Sequence, residues 1–248
     1  MARHPQRAAG LDVRRRLFSI LVLLLAGSAV AFAAASDTGT VEGTVHLPSA
    51  APANTAAHVM AETVYPHGAI TAMDMPADPP VAVVYAEPSD DATRAAVIAF
   101  RAASKPADAT VTQKDLRFIP ALLPVLVGAS VSFPNEDDIY HNVFSYSAPK
   151  PFDLGRYRKG ESPGKVTFDK PGTVKVYCEI HDHMRCTILV LDTPFFTTTD
   201  PAGHYHLAGL LPGNYTLTAW IGDKSLWTSP LEIHPGSSLH TDLAPPAK

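Results

Sequence analysis

Thr173-Val-Lys-Val-Tyr-Cys178-Glu-Ile-His181-Asp-His-Met184-Arg-Cys186-Thr-Ile-Leu-Val-Leu191 is the stretch on which the reading of this chain turns. Thr173 to Tyr177 alternates apolar and polar side chains at period two, the mark of a half-buried strand. Ile188 to Leu191 is apolar on both faces, as a strand buried inside a sheet would be. Between them, Cys178 to Met184 keeps neither period, so it reads as a loop joining two strands. That loop holds a thiol, imidazoles and a thioether, a dense set of soft and borderline donors.

The same alternation recurs in Val41–Val45, Lys165–Phe168 and Tyr215–Trp220, and Ala82–Tyr85 is apolar on both faces. Pro171-Gly172, Pro212-Gly213 and Pro235-Gly236 supply turn signals between such segments. The expectation is an all-β chain built as a sandwich or barrel. The one helical pattern is Asp91 to Ala103, rich in Ala, with Val97, Ile98 and Phe100. It interrupts Ser89–Thr110, which otherwise reads as a connection. Pro48–Pro80 is a second connection, rich in Ala and Pro, with scattered His58, His67, Met60, Met73 and Met75. The tail Ala244–Lys248 reads as frayed.

The chain has 248 residues, 20 Lys+Arg against 24 Asp+Glu, 23 Pro and 2 Cys. That is long enough for one or two cores. The acidic balance lacks the basic footprint of a nucleic-acid binder. Two cysteines exclude a disulfide-dense scaffold, a four-Cys zinc site and an iron–sulfur cluster held by four cysteines of this chain.

Arg3, Arg7 and Arg14 to Arg16 precede the apolar run Leu17–Leu25, and small residues follow at Ala31-Phe-Ala33. This is the pattern of a signal peptide over residues 1–33, with periplasmic or other exported localisation. An uncleaved anchor is the alternative, since the apolar stretch reaches Ala35. Arg14-Arg15-Arg16 hints at twin-arginine export. Cleavage after Ala33 removes five Arg and one Asp, leaving 15 basic and 23 acidic residues, a net of −8. No other apolar run is long enough to span a bilayer, so no stable membrane insertion is expected after cleavage.

Upstream of the Cys178 loop lie Val131-Ser-Phe-Pro-Asn135 and Ile139-Tyr-His141-Asn-Val-Phe144. A thiolate, two imidazoles and a weak thioether make the donor set of a mononuclear blue-copper site. Three donors on one short loop are cheap to bring together. A fourth at His141 must be delivered by the fold. Other readings of these residues remain open. Cys178 and Cys186 could pair as a disulfide in an oxidising compartment, or Cys186 could be a small buried hydrophobe. His183 could point away from the loop or replace Met184.

Cys-x2-His-x2-Met with an upstream His-Asn after Phe-Pro-Asn resembles the cupredoxins, the short loop being amicyanin-like. Asp115-Leu-Arg-Phe-Ile-Pro, Phe133-Pro-Asn, His141-Asn-Val-Phe-Ser and Phe152-Asp-Leu-Gly resemble the plastocyanin-like methylamine-utilisation proteins. The resemblance covers about 80 residues and implies a Greek-key β-sandwich over 110–192. It makes His141, Cys178 and His181 the equatorial ligands of one type 1 copper, Met184 the weak axial one, and Asn142 an outer residue bonding the two ligand loops together. It also implies one-electron transfer through the outer edge of His181 to a transient partner, such as a cytochrome or periplasmic dehydrogenase.

The ends of the chain carry a second resemblance. Asp200-Pro-Ala-Gly203, a strand, Leu211-Pro-Gly213 and Tyr215 resemble the carboxypeptidase regulatory-like domain, a small β-sandwich. Its first strand matches Thr40-Val-Glu-Gly-Thr-Val45, some 150 residues earlier. The expected arrangement is a sandwich made of residues 37–90 and 193–244, split by the inserted copper domain. His204 and His206 alternate on one strand face, as chelators or as a solvated polar face. Trp220 and Trp227 are expected in a core, between domains or on a partner patch.

No Ser-His-Asp set, phosphate loop or paired-carboxylate signature stands out. One copper motif lacks the second site that a copper oxidase or nitrite reductase needs, so the chain reads as a carrier and not an enzyme. The competing functions are a copper-binding carrier or sensor with no electron-transfer role, and a metal-free structural sandwich.

Overall fold

The computed structural model describes residues 37–47, 81–161, 163–222 and 225–245. The leader, the Pro48–Pro80 connection with its His and Met residues, and the last three residues lie outside these. The elements in chain order are β1 (Gly39–Thr44), β2 (Val83–Pro88), α1 (Asp91–Ala102), β3 (Ala109–Thr110), β4 (Thr112–Lys114), β5 (Arg117–Ile119), β6 (Leu122–Leu126), β7 (Ser130–Ser132) and β8 (His141–Ser145). They continue as β9 (Phe152–Tyr157), β10 (Lys165–Thr167), β11 (Gly172–Tyr177), β12 (Arg185–Leu191), β13 (Phe196–Thr198), β14 (His204–Leu210), β15 (Gly213–Ile221), β16 (Ser225–Ile233) and β17 (Ser238–His240). The protein is an all-β sandwich protein, and the helical pattern seen in the sequence forms α1.

A five-stranded sheet of order β6-β12-β11-β8-β9 faces a three-stranded sheet β10-β7-β3, with the β4-β5 hairpin at one side. Val131, Phe133, Phe168, Val176 and Ile188 fill the space between the sheets. Each fully buried side chain of this size contributes about 1.5–3 kcal/mol. β12 is central: it runs antiparallel to β11 and parallel to β6. This explains its two apolar faces. Cys186, Ile188 and Val190 enter that core. Leu189 and Leu191 pack on the other side against Val83, with Tyr85, Leu122, Phe196 and Trp220 around them.

A second core lies beyond that contact, holding Val41, Val84, Leu207, Tyr215, Leu217 and Ile233, with Trp227 packed against it. Its sheets are β14-β1-β17 and β13-β2-β15-β16. β1 pairs with β14 from Gly39↔Leu210 to Thr44↔His204, and β2 pairs with β15 from Tyr215↔Pro88 to Trp220↔Val83. Strands from the two ends of the described chain therefore share the same sheets, and the other core is built wholly from residues between them. β2 is apolar on both faces for the same reason as β12, since Val84 and Ala86 enter the second core while Val83 meets Leu189 and Leu191.

α1 begins where the Asp90 carboxylate accepts the Thr93 N–H at 2.8 Å, satisfying one of the open donors of the first turn. Val97 is its buried apolar contact, and Phe100 stacks on Phe195 at 5.8 Å between ring centres. Asp200-Pro-Ala-Gly203 forms a turn, with the Gly203 N–H donating to the Asp200 carbonyl at 3.0 Å. Gly203 has φ +92°, and a Cβ there would collide with the Val45 carbonyl, so the position requires glycine.

Candidate metal centre

His141 opens β8, and Cys178 directly follows β11. The two strands are neighbours, with Tyr177 opposite Phe144, so pairing brings the imidazole to the end of the strand that carries the thiol. The loop after Cys178 then folds back on itself. The Met184 N–H donates to the His181 carbonyl at 2.9 Å, and the Cys178 N–H reaches the Met184 carbonyl at 3.3 Å. β12 starts one residue later, so two strands clamp the loop at both ends.

This geometry gathers three of the expected residues. Donor atoms of His141, Cys178 and His181 all lie within 4.8 Å of one another. Nδ1 of His141 is 3.0 Å from Nδ1 of His181, and Sγ of Cys178 is 3.8 Å from the same His181 atom. His141 is wholly buried, Cys178 is buried and His181 half-buried. Met184 is buried in the core that also holds Cys178.

Burial by itself pushes the Cys178 thiol up. Hydrogen bonds from His141, His181 and the Asn142 and Ile180 backbones outweigh it and bring the thiol down to about 5. Those bonds favour the thiolate over the thiol. Burial likewise opposes a charge on His141, but bonds to Cys178 and Asp137 raise it above its ordinary value.

Asn142 ties the two halves together. Its backbone N–H points at Cys178 Sγ at 3.5 Å, its Oδ1 faces the Glu179 N–H at 3.4 Å, and its Nδ2 donates to Asp153 at 2.8 Å. Cys186 and Cys178 are both free thiols. Cys186 is buried opposite Val176, and desolvation pushes its thiol up. His183 turns outward, its Nε2 facing the Leu116 carbonyl at 3.1 Å. His204 and His206 lie on the exposed face of β14, beside Asp200 and Glu42.

Sequence reasoning missed Asp137. Its Oδ2 lies 2.9 Å from Nε2 of His141. A carboxylate only accepts, so Nε2 carries the proton and Nδ1 is left for a metal or a second proton. It assigned no role to Asn135 of the Phe-Pro-Asn stretch; the buried Asn135 amide donates to the Ile139 and Tyr157 carbonyls and shapes the loop before His141. The signal was an acid four residues before His141, but Glu136-Asp137-Asp138 reads as an exposed acidic run. Which of the three turns inward is decided by the loop.

The donor set fits copper: a thiol whose bonds favour its thiolate, two converging imidazole nitrogens, and a carboxylate behind one of them.

Among the described residues no helix is long and apolar enough to cross a membrane. No family model and no curated protein sequence matches the chain. Among solved structures the chain is similar to the copper-containing nitrite reductase of Thermus scotoductus SA-01, with 32% identity over 34% of this chain and 22% of that one and a TM-score of 0.32. It is similar to an amicyanin variant in the Cu(I) form, with 22% identity over 34% of this chain and 82% of that one and a TM-score of 0.32. It is similar also to a purple cupredoxin from Nitrosopumilus maritimus, with 23% identity over 34% of this chain and all of that one and a TM-score of 0.30. The chain thus spans about a fifth of the nitrite reductase.

Proposed function

We propose that this protein is an exported type 1 copper protein of the cupredoxin kind, which carries single electrons between transient redox partners and catalyses no reaction. His141, Cys178 and His181 hold the metal, with Met184 as the weak fourth ligand. The observation that carries this reading is the convergence of one cysteine sulfur and two imidazole nitrogens in a largely buried site. When bound, copper supplies a one-electron couple between Cu(II) and Cu(I). The chain's own residues do the rest. Two strands and the Asn142 bonds fix the donors, burial of His141 and Cys178 excludes water, and partly exposed His181 is the donor that reaches the surface. The flanking strands form one sandwich from 37–90 and 193–244, supported by the β1–β14 and β2–β15 registers. The Arg-rich start followed by Leu17–Leu25 supports export, and the acidic balance suits a basic partner.

The test is a visible absorption spectrum during Cu(II) addition to the purified protein. The expected result is an intense thiolate-to-copper band at one equivalent, lost in Cys178→Ala and kept in Cys186→Ala. No band would overturn the copper reading. A band without electron exchange to a cytochrome would favour a copper carrier.

A further inference from the structure

The β4–β5 hairpin carries backbone conformations that its sequence disfavours. Its two-residue turn is Asp115-Leu116, with Lys114 opposite Arg117. Both turn residues have positive φ, 53° and 60°. Such turns favour glycine and asparagine, and leucine there is an outlier. An outlier of this kind persists only where its surroundings over-determine it.

The surroundings are the metal centre. Asp137 Oδ1 accepts the Asp115 N–H at 2.8 Å, and Asp137 Oδ2 accepts the Leu116 N–H at 3.0 Å. The same Oδ2 faces Nε2 of His141. On the other side the Leu116 carbonyl faces Nε2 of His183, in the loop between His181 and Met184. β4 is also held to the Asp137 segment, since the Gln113 N–H donates to the Pro134 carbonyl and the Glu136 N–H to the Gln113 carbonyl, both at 2.8 Å. One turn therefore grips the segment before His141 and the loop after His181.

We propose that the Asp115–Leu116 turn is an outer clamp on the metal centre, and that Asp137 is the positioning residue it aims at His141. The inference rests on the copper reading above. The two turn N–H groups orient the carboxylate, the carboxylate holds the Nε2 proton of His141, and Nδ1 is thereby presented to the metal. The His183 contact carries the same restraint to the second ligand segment. An asparagine at 137 cannot reproduce this, because only one of its two terminal atoms accepts.

The experiment compares the purified full-length protein with Asp137→Asn, Asp137→Glu, Leu116→Gly and Leu116→Pro. It measures the absorption band, copper transfer to a chelator, the reduction potential, and urea unfolding of the metal-free forms. Asp137→Asn is expected to weaken copper binding by about 10–100-fold. The potential should rise, because a negative charge that favours the more positive oxidation state is gone. Asp137→Glu should recover part of the loss. Leu116→Gly keeps both N–H groups and suits the positive φ, so it should match the wild type. Leu116→Pro removes a donor and forbids that φ, so it should resemble Asp137→Asn even though it leaves every ligand intact. A blue wild type whose band, affinity and potential are unmoved by Asp137→Asn would overturn the clamp alone, even if the unfolding midpoint falls. A wild type without the band would overturn the copper reading and the clamp with it.

Discussion

Nδ1 of His141 and Nδ1 of His181 face each other at 3.0 Å, although forty positions separate them in the chain. The two residues are unequal in their surroundings. His141 is enclosed, with Asp137 behind it, while His181 sits on a loop with part of its surface in water. His141→Ala should therefore cost the metal-free protein about 2–4 kcal/mol, from the cavity and the loss of one of the three donors to the Asp137 carboxylate. His181→Ala should cost less than about 1 kcal/mol. Urea unfolding of both variants checks this, and both should lose the copper band.

Cys178 should titrate in the metal-free protein with a midpoint near 5, against an ordinary 9.0. Thiolate absorbance followed against pH, with Cys178→Ser as the blank, reads it directly. The sign for stability follows from proton counting. Between about 5 and 9.0 the unfolded chain binds a proton there that the folded chain does not, so the Cys178 contribution grows with pH and is lost as pH falls through about 5. His141 has the opposite sign, its contribution being present below 6.5 and lost as pH rises through its raised value. The difference between wild type and Cys178→Ser in urea unfolding carries the Cys178 part together with the share of the His141 shift that Cys178 supplies, so the Cys178 signature is a rise between about pH 5 and 6.5, and a flat difference there would contradict it.

Cys186 should behave as a packed core side chain. Burial pushes its thiol up, and its neighbours are apolar. Cys186→Ser should cost about 1–3 kcal/mol, by placing a hydroxyl among groups that offer no partner. Cys186→Ala should cost less, because it buries no polar atom. Both should keep the copper band.

The flanking strands should respond together. A Cβ on Gly43 of β1 would run into the backbone carbonyl of Thr241, which cannot give way as a flexible side chain would. Gly43→Ala should destabilise by about 2 kcal/mol or more while leaving the copper band in place, because the second core shares no residue with the donor cluster. In limited proteolysis a fragment with residues 37–90 should stay bound to one with 193–244. Free release of either would contradict a single split sandwich.

The sequence alone determined the kind of fold and which donor side chains lie close together in the chain. Period-two alternation in Thr173–Tyr177 and Tyr215–Trp220 is a local property, because side chains alternate faces along any strand. The loop Cys178–Met184 was legible for the same reason, its donors being neighbours in the chain. The two-sided apolar strands Ala82–Tyr85 and Ile188–Leu191 were legible as buried, but not what buried them. Only the fold sets Leu189 and Leu191 against Val83 and Trp220. Only the fold likewise turned Asp137, and not Glu136 or Asp138, toward His141, brought the Cys178 thiol among imidazoles, and gave Leu116 its positive φ. These outcomes depend on groups brought together from distant parts of the chain, in surroundings dry enough for a hydrogen bond or a charge to count. Spacing along a sequence records which groups are present, and the closure of the sheets decides which of them meet.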